Sequence, residues 1–204
     1  MTAQENAKRY FDKYNKQKRT YEAVTEQLAQ TKADIDHLES ISTSMDIARL
    51  EEDLVQIKEE LTEYGYIKRH YTVGKKVKIT SRPFHYLSSD GFHIYVGKNN
   101  YQNEELDFKF ANGGDWWFHA KGAPGSHVIV KTNGDELPDR TFEEAGRLAA
   151  YYSKNRGSDK VEIDYIEKKH VKKPNGAKPG FVVYYTNYSL VIDSDISNIK
   201  VVQD

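Results

Sequence analysis

The stretch "DWWFHAKGAPGSHVIVK", Asp115 to Lys131, gathers two tryptophans, two histidines, two lysines and a Pro-Gly turn into seventeen residues. Read as a strand, a turn and a returning strand, its alternation separates two faces. Trp116, Phe118 and Ala120 share one face with Ser126, Val128 and Val130, and this face belongs to a core. Asp115, Trp117, His119 and Lys121 share the other with His127, Ile129 and Lys131. Pairing residue 120 with 126 sets His119 across from His127. A one-residue slip would exchange the faces.

Four kinds of chemistry compete for the polar face. A metal needs a third ligand, and Asp115 lies about 13 Å along a strand from His119. Acid–base catalysis by His119 and His127 needs a pocket and a reacting group, and no Gly-x-Ser-x-Gly or His-Glu-x-x-His pattern accompanies them. Plain packing needs only hydrogen-bond partners for the histidines. Recognition of RNA or a protein surface would use Trp117 as a stacking plane, the histidines as polar contacts and Lys121 against phosphate. Pro124, Gly125 and Ser126 would shape the turn and offer backbone donors. The expectation is a non-enzymatic binding module, with no catalytic residue, metal or cofactor.

A second cluster fits recognition. "KKHVKKPNGAKPG", Lys168 to Gly180, carries five lysines and no acid. Lys172, Lys173 and Lys178 on such a turn suit phosphate, although the same loop could simply be solvated. "GKNNYQNEEL", Gly97 to Leu106, reads first as a turn held by its own amide side chains. In "AAYYSKNR" the tyrosines read as core, and Lys154 and Arg156 suit a helix C-terminus.

These clusters need elements to hold them. From Tyr66 onward, short alternating runs point to strands at 84–88, 92–97, 115–121, 126–131, 161–166, 181–186 and 189–193. "SSDG" joins the first two as a hairpin turn. One principal helix begins at Thr141, with Glu144 completing a capping box, and ends at Gly157. The expected class is α+β: a long helical coiled-coil segment, residues 1–65, then a mixed, mainly antiparallel sheet domain with one principal helix, residues 66–204.

The first segment lacks proline and has no glycine before Gly65. Tyr14, Tyr21, Val24, Leu28, Thr31, Ile35 and Leu38 follow heptad spacing. Ile47, Leu50, Leu54, Ile57, Leu61 and Tyr64 resume it after a break at "SISTSMD". Asp46 is the expected cap of the second helix and Gly65 its terminator. The two helices differ in length, so a hairpin would leave Tyr10, Phe11 and Tyr14 without a partner. A partner helix from elsewhere in a longer protein, or from another molecule, is implied; self-association is the plainer alternative.

Of the 204 residues, 38% are hydrophobic and 30% charged, and none is cysteine. That excludes disulfides, thiolate metal sites and cysteine nucleophiles. No apolar run reaches the ~20 residues of a membrane span, and the N-terminus lacks a signal-type apolar core. A cytoplasmic location is expected, with surface display as the alternative. The net charge of −1 does not advertise a nucleic-acid binder. Residues 1–70 hold 11 Lys/Arg against 14 Asp/Glu, so any attraction for a polyanion is local.

Four blocks, "GFHIYVGKNNYQNEEL", "DWWFHAKGAPGSHVIV", "EEAGRLAAYYSKNR" and "VEIDYIEKKHVKKPNGAKPGFVVY", resemble in order the NFACT-R domain of ribosome-associated quality-control proteins of the RqcH and NEMF kind. "ENAKRYFDKYNKQKR" looks like the tip of that family's middle coiled coil. Trp116, Phe118, Gly122 and Ala123 depart from what relatives often carry, and the first two lie on the face assigned to the core. The resemblance implies RNA binding and a partnership with the large ribosomal subunit carrying stalled peptidyl-tRNA. It further implies support of tRNA recruitment for template-independent tailing. The family's N-terminal domain and helix-hairpin-helix region have no visible counterpart, so the chain looks like a C-terminal fragment. Bacterial relatives also circulate as fibronectin-binding proteins, which makes a fibronectin- or host-protein-binding module the second reading.

Overall fold

The computed structural model describes residues 1–68 and 80–202, which form two compact units, Met1–Leu38 and Glu39–Asp204. The first unit is a single stretch of helix α1, Ala3–Ile47, whose last turns belong to the second unit. Its heptad residues Tyr14, Tyr21, Val24, Leu28, Ile35 and Leu38 are exposed, as are Tyr10 and Phe11.

The break expected at "SISTSMD" does not occur there. Thr43 and Ser44 turn their hydroxyls back onto the carbonyls of Glu39 and Ser40, a local bond compatible with unbroken helix. The helix continues to Ile47, so Asp46 caps nothing. Helix α2, Asp53–Glu63, starts later, and Asp53 Oδ2 accepts from the Arg49 and Leu50 amides at 3.0 and 3.1 Å. Gly65 does end it: φ is +76°, Gly65 N–H donates to Thr62 and Tyr66 N–H to Leu61. This paired closure at a left-handed glycine is the Schellman motif.

The second unit is built on one seven-stranded sheet, in which every paired register is antiparallel. The strands are β1 Phe84–Leu87, β2 His93–Val96, β3 Trp116–Ala120, β4 Val128–Val130, β5 Val161–Glu167, β6 Tyr188–Ile192 and β7 Lys200–Val201. Their spatial order is β6-β5-β3-β4-β2-β1-β7. Residues 181–186, expected as a strand, contribute only an isolated bridge between Lys172 and Val183. β7 was not foreseen; two residues are too few for alternation to show.

Between β2 and β3 lie helix α3, Asn100–Glu105, and one π-helical turn, Leu106–Phe110. The amide-rich run is therefore helical, with Asn99 as its cap accepting from Gln102 N–H at 3.0 Å. Helix α4, Asp139–Tyr151, begins two residues before Thr141 and ends well before Gly157. The capping box does not form. Thr141 Oγ1 donates to Asp90 and Glu144 accepts from Ser89, so both side chains anchor the β1–β2 turn instead. The chain leaves the helix early because residues 152–154 bond to the backbone of Pro124 and Ser126.

The sheet is covered on both sides. On one face, Ile94, Val96, Phe118, Ala120, Val128 and Val130 meet Ala145, Leu148 and Ala149 of α4. On the other, Trp117, Ile129 and Ile166 pack with Leu106 and Val171, flanked by Phe108, Val182 and Tyr184.

A polar seam ties α2 to this unit. Asp53 is fully buried, and its Oδ1 accepts from Ser81 at 2.6 Å and Lys98 at 2.9 Å. Burial alone would raise its pKa. The Ser81 hydroxyl, the Lys98 ammonium and the two amides outweigh it, holding the carboxyl below its usual value. Gln56 bonds Asn99 and Gln102, and Glu60 bonds Asn100. Removing Asp53 strands a largely buried lysine. Asp53→Ala should lower the unfolding free energy by about 3–5 kcal/mol, read as a shift in urea midpoint at constant m value. A loss below about 1 kcal/mol would mean Lys98 is compensated otherwise.

Candidate nucleic-acid interface

The register of β3 and β4 is the one that alternation predicts. Trp116 pairs with Val130, Trp117 with Ile129 and Phe118 with Val128, and continuing it places His119 opposite His127. The two imidazoles meet edge to face, with centroids 5.2 Å apart.

The polar face itself is not a surface. Trp117 is fully buried, stacked on His119 at 5.6 Å, with His127 edge-on at 5.2 Å and Tyr184 at 4.9 Å. It cannot present a plane to a base, and the stacking role expected of it is withdrawn. The physical reason is the layer formed by α3, the π turn and residues 182–184, which closes over this side of the sheet.

His127 is wired into that layer. Its backbone N–H donates to Asn103 Oδ1 at 3.0 Å, and its Nδ1 lies 2.6 Å from Asp107 Oδ2. Asp107 comes from the π turn, where one extra residue per turn shifts the inward-facing position. His119 is partly exposed and hydrogen-bonds the Gly125 carbonyl. Burial, and then the electrostatic influence of the neighbouring His127 ring, push its pKa down to about 3, with the Gly125 carbonyl opposing. His119 is therefore neutral near pH 7 and offers phosphate no charge.

The turn residues are committed as well. Gly125 approaches Ser153 so closely that an added Cβ would lie 2.9 Å from Ser153 Cβ. Ser126 N–H donates to Tyr152 and its hydroxyl to the Gly97 carbonyl at 2.5 Å, so neither is a free donor. Pro124 uses its carbonyl on Lys154 N–H. Asp115, also buried, accepts from Lys131 at 2.5 Å and from the Thr132 and Asn112 amides.

Lysines remain at the surface. Lys121 is exposed and pairs with Glu162. Lys173 pairs with Glu104 of α3 at 2.6 Å. Lys178 donates to Tyr66 and lies over the Tyr64 ring. Lys172 is exposed, and among the described residues its backbone bonds to Val183. Just before it, a 3-10 turn, Lys168–His170, adds Lys168, Lys169 and His170 to the same strip. The sequence showed these cations and placed them directly after the strand expected at 161–166, which is where β5 ends. Asp107 and Asn103 gave no sequence signal beyond a polar run.

The depressed His119 pKa has a consequence for stability. In the unfolded chain the imidazole takes up a proton near pH 6.5, and in the folded protein it resists until about pH 3. Between these values the unfolded state binds more protons, so this contribution is intact above pH 6.5 and is lost progressively as pH falls. His119→Gln, which can still donate to the Gly125 carbonyl, removes it. The stability advantage of wild type over His119→Gln should therefore shrink between pH 7 and pH 4 in urea unfolding; a pH-independent difference would contradict a folded imidazole that resists protonation.

Comparison with known proteins agrees with this architecture. Residues 1–80 match the model described as NFACT N-terminal and middle domains, and residues 82–186 match that of the NFACT protein RNA binding domain. The chain is 44% identical to the Rqc2 homolog RqcH of Streptococcus suis over 98% of its own length and 36% of that protein. It is 38% identical to RqcH of Bacillus subtilis over 97% of its length and 35% of that protein. The chain thus spans about a third of these relatives. The solved C-terminal part of the fibronectin/fibrinogen-binding protein from Streptococcus suis superposes with a TM-score of 0.86 at 43% identity, covering 98% of this chain and 80% of that one. With more than half of its length matched by the RNA-binding-domain model and nearly all of it aligned with RqcH, the chain belongs to the NFACT family of ribosome quality-control proteins.

Proposed function

We infer that this chain is the RNA- and ribosome-contacting part of a quality-control factor. In this reading it binds large ribosomal subunits that carry stalled peptidyl-tRNA and supports tRNA recruitment for template-independent tailing. It acts as a binding module and catalyses nothing itself. Its surroundings are those of ribosomes in the cytoplasm, and among the described residues no helix is long and apolar enough to cross a membrane.

The observation that carries the reading is the strip from Lys168 to Lys173 at the end of β5, inside the segment matched to the RNA-binding domain. Four lysines and His170 fall within six residues there, and Lys172 has no carboxylate partner among the described residues. Phosphate contact releases counterions, so such a strip supplies affinity that depends steeply on salt. The exposed heptad residues of the first unit fit the second half of a coiled coil supplied by the rest of a longer protein. The name of the Streptococcus suis structure keeps fibronectin binding as a second reading, favoured only if binding is saturable and survives nuclease.

Co-sedimentation with large ribosomal subunits across a salt series tests the proposal. Affinity should fall linearly in log–log form. Lys172→Ala combined with Lys173→Ala should flatten the slope by about 0.7–0.9 for each phosphate that is no longer neutralised. Salt-insensitive binding, or none at low salt, would refute it.

A further inference from the structure

A cleft of about 250 Å³ lies where β3 begins, β5 ends and β6 begins. Trp116, Glu167, Lys169, His170, Thr186 and Tyr188 line it. Ile166 also borders it, so it sits at the ends of these strands and draws lining from both faces of the sheet. Tyr188 sits just beyond the segment matched to the RNA-binding domain.

Its walls are aromatic and its rim is cationic. A run of rings crosses the α4 face of the sheet: Phe142 meets Trp116 at 4.9 Å, Trp116 meets Tyr165 at 5.8 Å, and Tyr165 stacks on Tyr188 at 5.5 Å. The run ends in the open, because β6 is an edge strand and Tyr188 is 60% exposed. Trp116 and Tyr188 are 6.4 Å apart and inclined by 48°. Lys169 and His170 are both exposed at the same cleft. Glu167 is ion-paired with Lys169, which leaves acceptor sites on its carboxylate for an exocyclic amino group. Thr186 holds the start of β6 at φ +58°, a left-handed conformation uncommon for a β-branched residue.

The geometry points to a subsite for one unpaired RNA nucleotide, its base against Tyr188 and Trp116 and its phosphate toward Lys169 and His170. The size fits: the cleft is smaller than the roughly 300–1,000 Å³ of drug-sized sites, so it takes one base and not a run of them. The chemistry fits, because exposed rings beside lysines form the usual platform for single strands. A duplex keeps its bases stacked and cannot enter. The inference rests on the RNA-binding reading and specifies that part of the RNA is single-stranded where it meets this edge.

Two measurements on the 204-residue chain test it. In the first, fluorescence anisotropy follows a labelled single-stranded RNA dodecamer and its duplex. Tyr188→Ala should weaken the single strand about fivefold or more, keep the salt slope as it was, and leave the duplex unaffected; Tyr188→Phe should bind like wild type. In the second, adenosine 5′-monophosphate is titrated into wild type, with NMR shifts expected at Thr186, Tyr188 and His170. If wild type binds RNA but Tyr188→Ala binds equally well, the subsite is overturned and the RNA reading stands. If the dodecamer does not bind while nucleotide shifts are confined to the cleft, the RNA reading falls and the subsite as an RNA contact falls with it. Absence of both signals overturns both.

Discussion

The central strands are buried on both faces, and most of what the motif does follows from that constraint. β3 and β4 carry polar and ionisable side chains into a space closed by the α3 layer. Buried polar groups are tolerated when they are hydrogen-bonded. His127 therefore takes Asp107 and Asn103, and Asp115 takes Lys131 and Thr132. The His127 bonds join the sheet to α3 and the π turn above it, and the Asp115 bonds tie the adjacent ends of β3 and β4. Among the described residues the indole Nε1 of Trp117 meets no acceptor and Asp107 Oδ1 meets no donor, so the Trp117 ring contributes by packing alone. The residues that most resembled a binding surface are the internal fastening of the domain.

Alternation fixed the register of this hairpin correctly, because a period of two is insensitive to what covers the strands. For the same reason it could not say whether the second face was wet. That depended on "NNYQNEEL", a helix of six residues followed by one π turn, too short for helical periodicity to register. Its amides point inward, capping and cross-linking, so its polarity disguised a covering layer. The Thr141–Glu144 pair misled in a related way. A capping box and a tertiary anchor use the same residue types at the same spacing, and only the position of the β1–β2 turn decides between them.

The helices show a similar division. Their heptad pattern was legible and the glycine closure at Gly65 was correct, since both depend on local geometry. The junction was displaced because a Ser/Thr-rich run reads as a breaker, whereas hydroxyls bonded four residues back can remain helical. What sets the true start of α2 is Asp53, which serves both the open amides and the buried Lys98. One carboxylate thus fixes a helix terminus and its attachment to the sheet unit.

With the motif internal, contact with a polyanion moves to the edges of the domain, where charge is unevenly placed. A large groove beside α2 and α3 is lined by Glu59, Glu63, Glu104 and Glu105. RNA would be repelled there and drawn to the lysines that follow β5. Lys173 stands at the border, its charge already shared with Glu104. A net charge of −1 is therefore compatible with nucleic-acid binding, provided the molecule is approached from one side. In the proposed reading the acidic groove would contribute orientation: it would penalise wrong approaches while the basic strip supplied attraction, and direction would come from the difference between them.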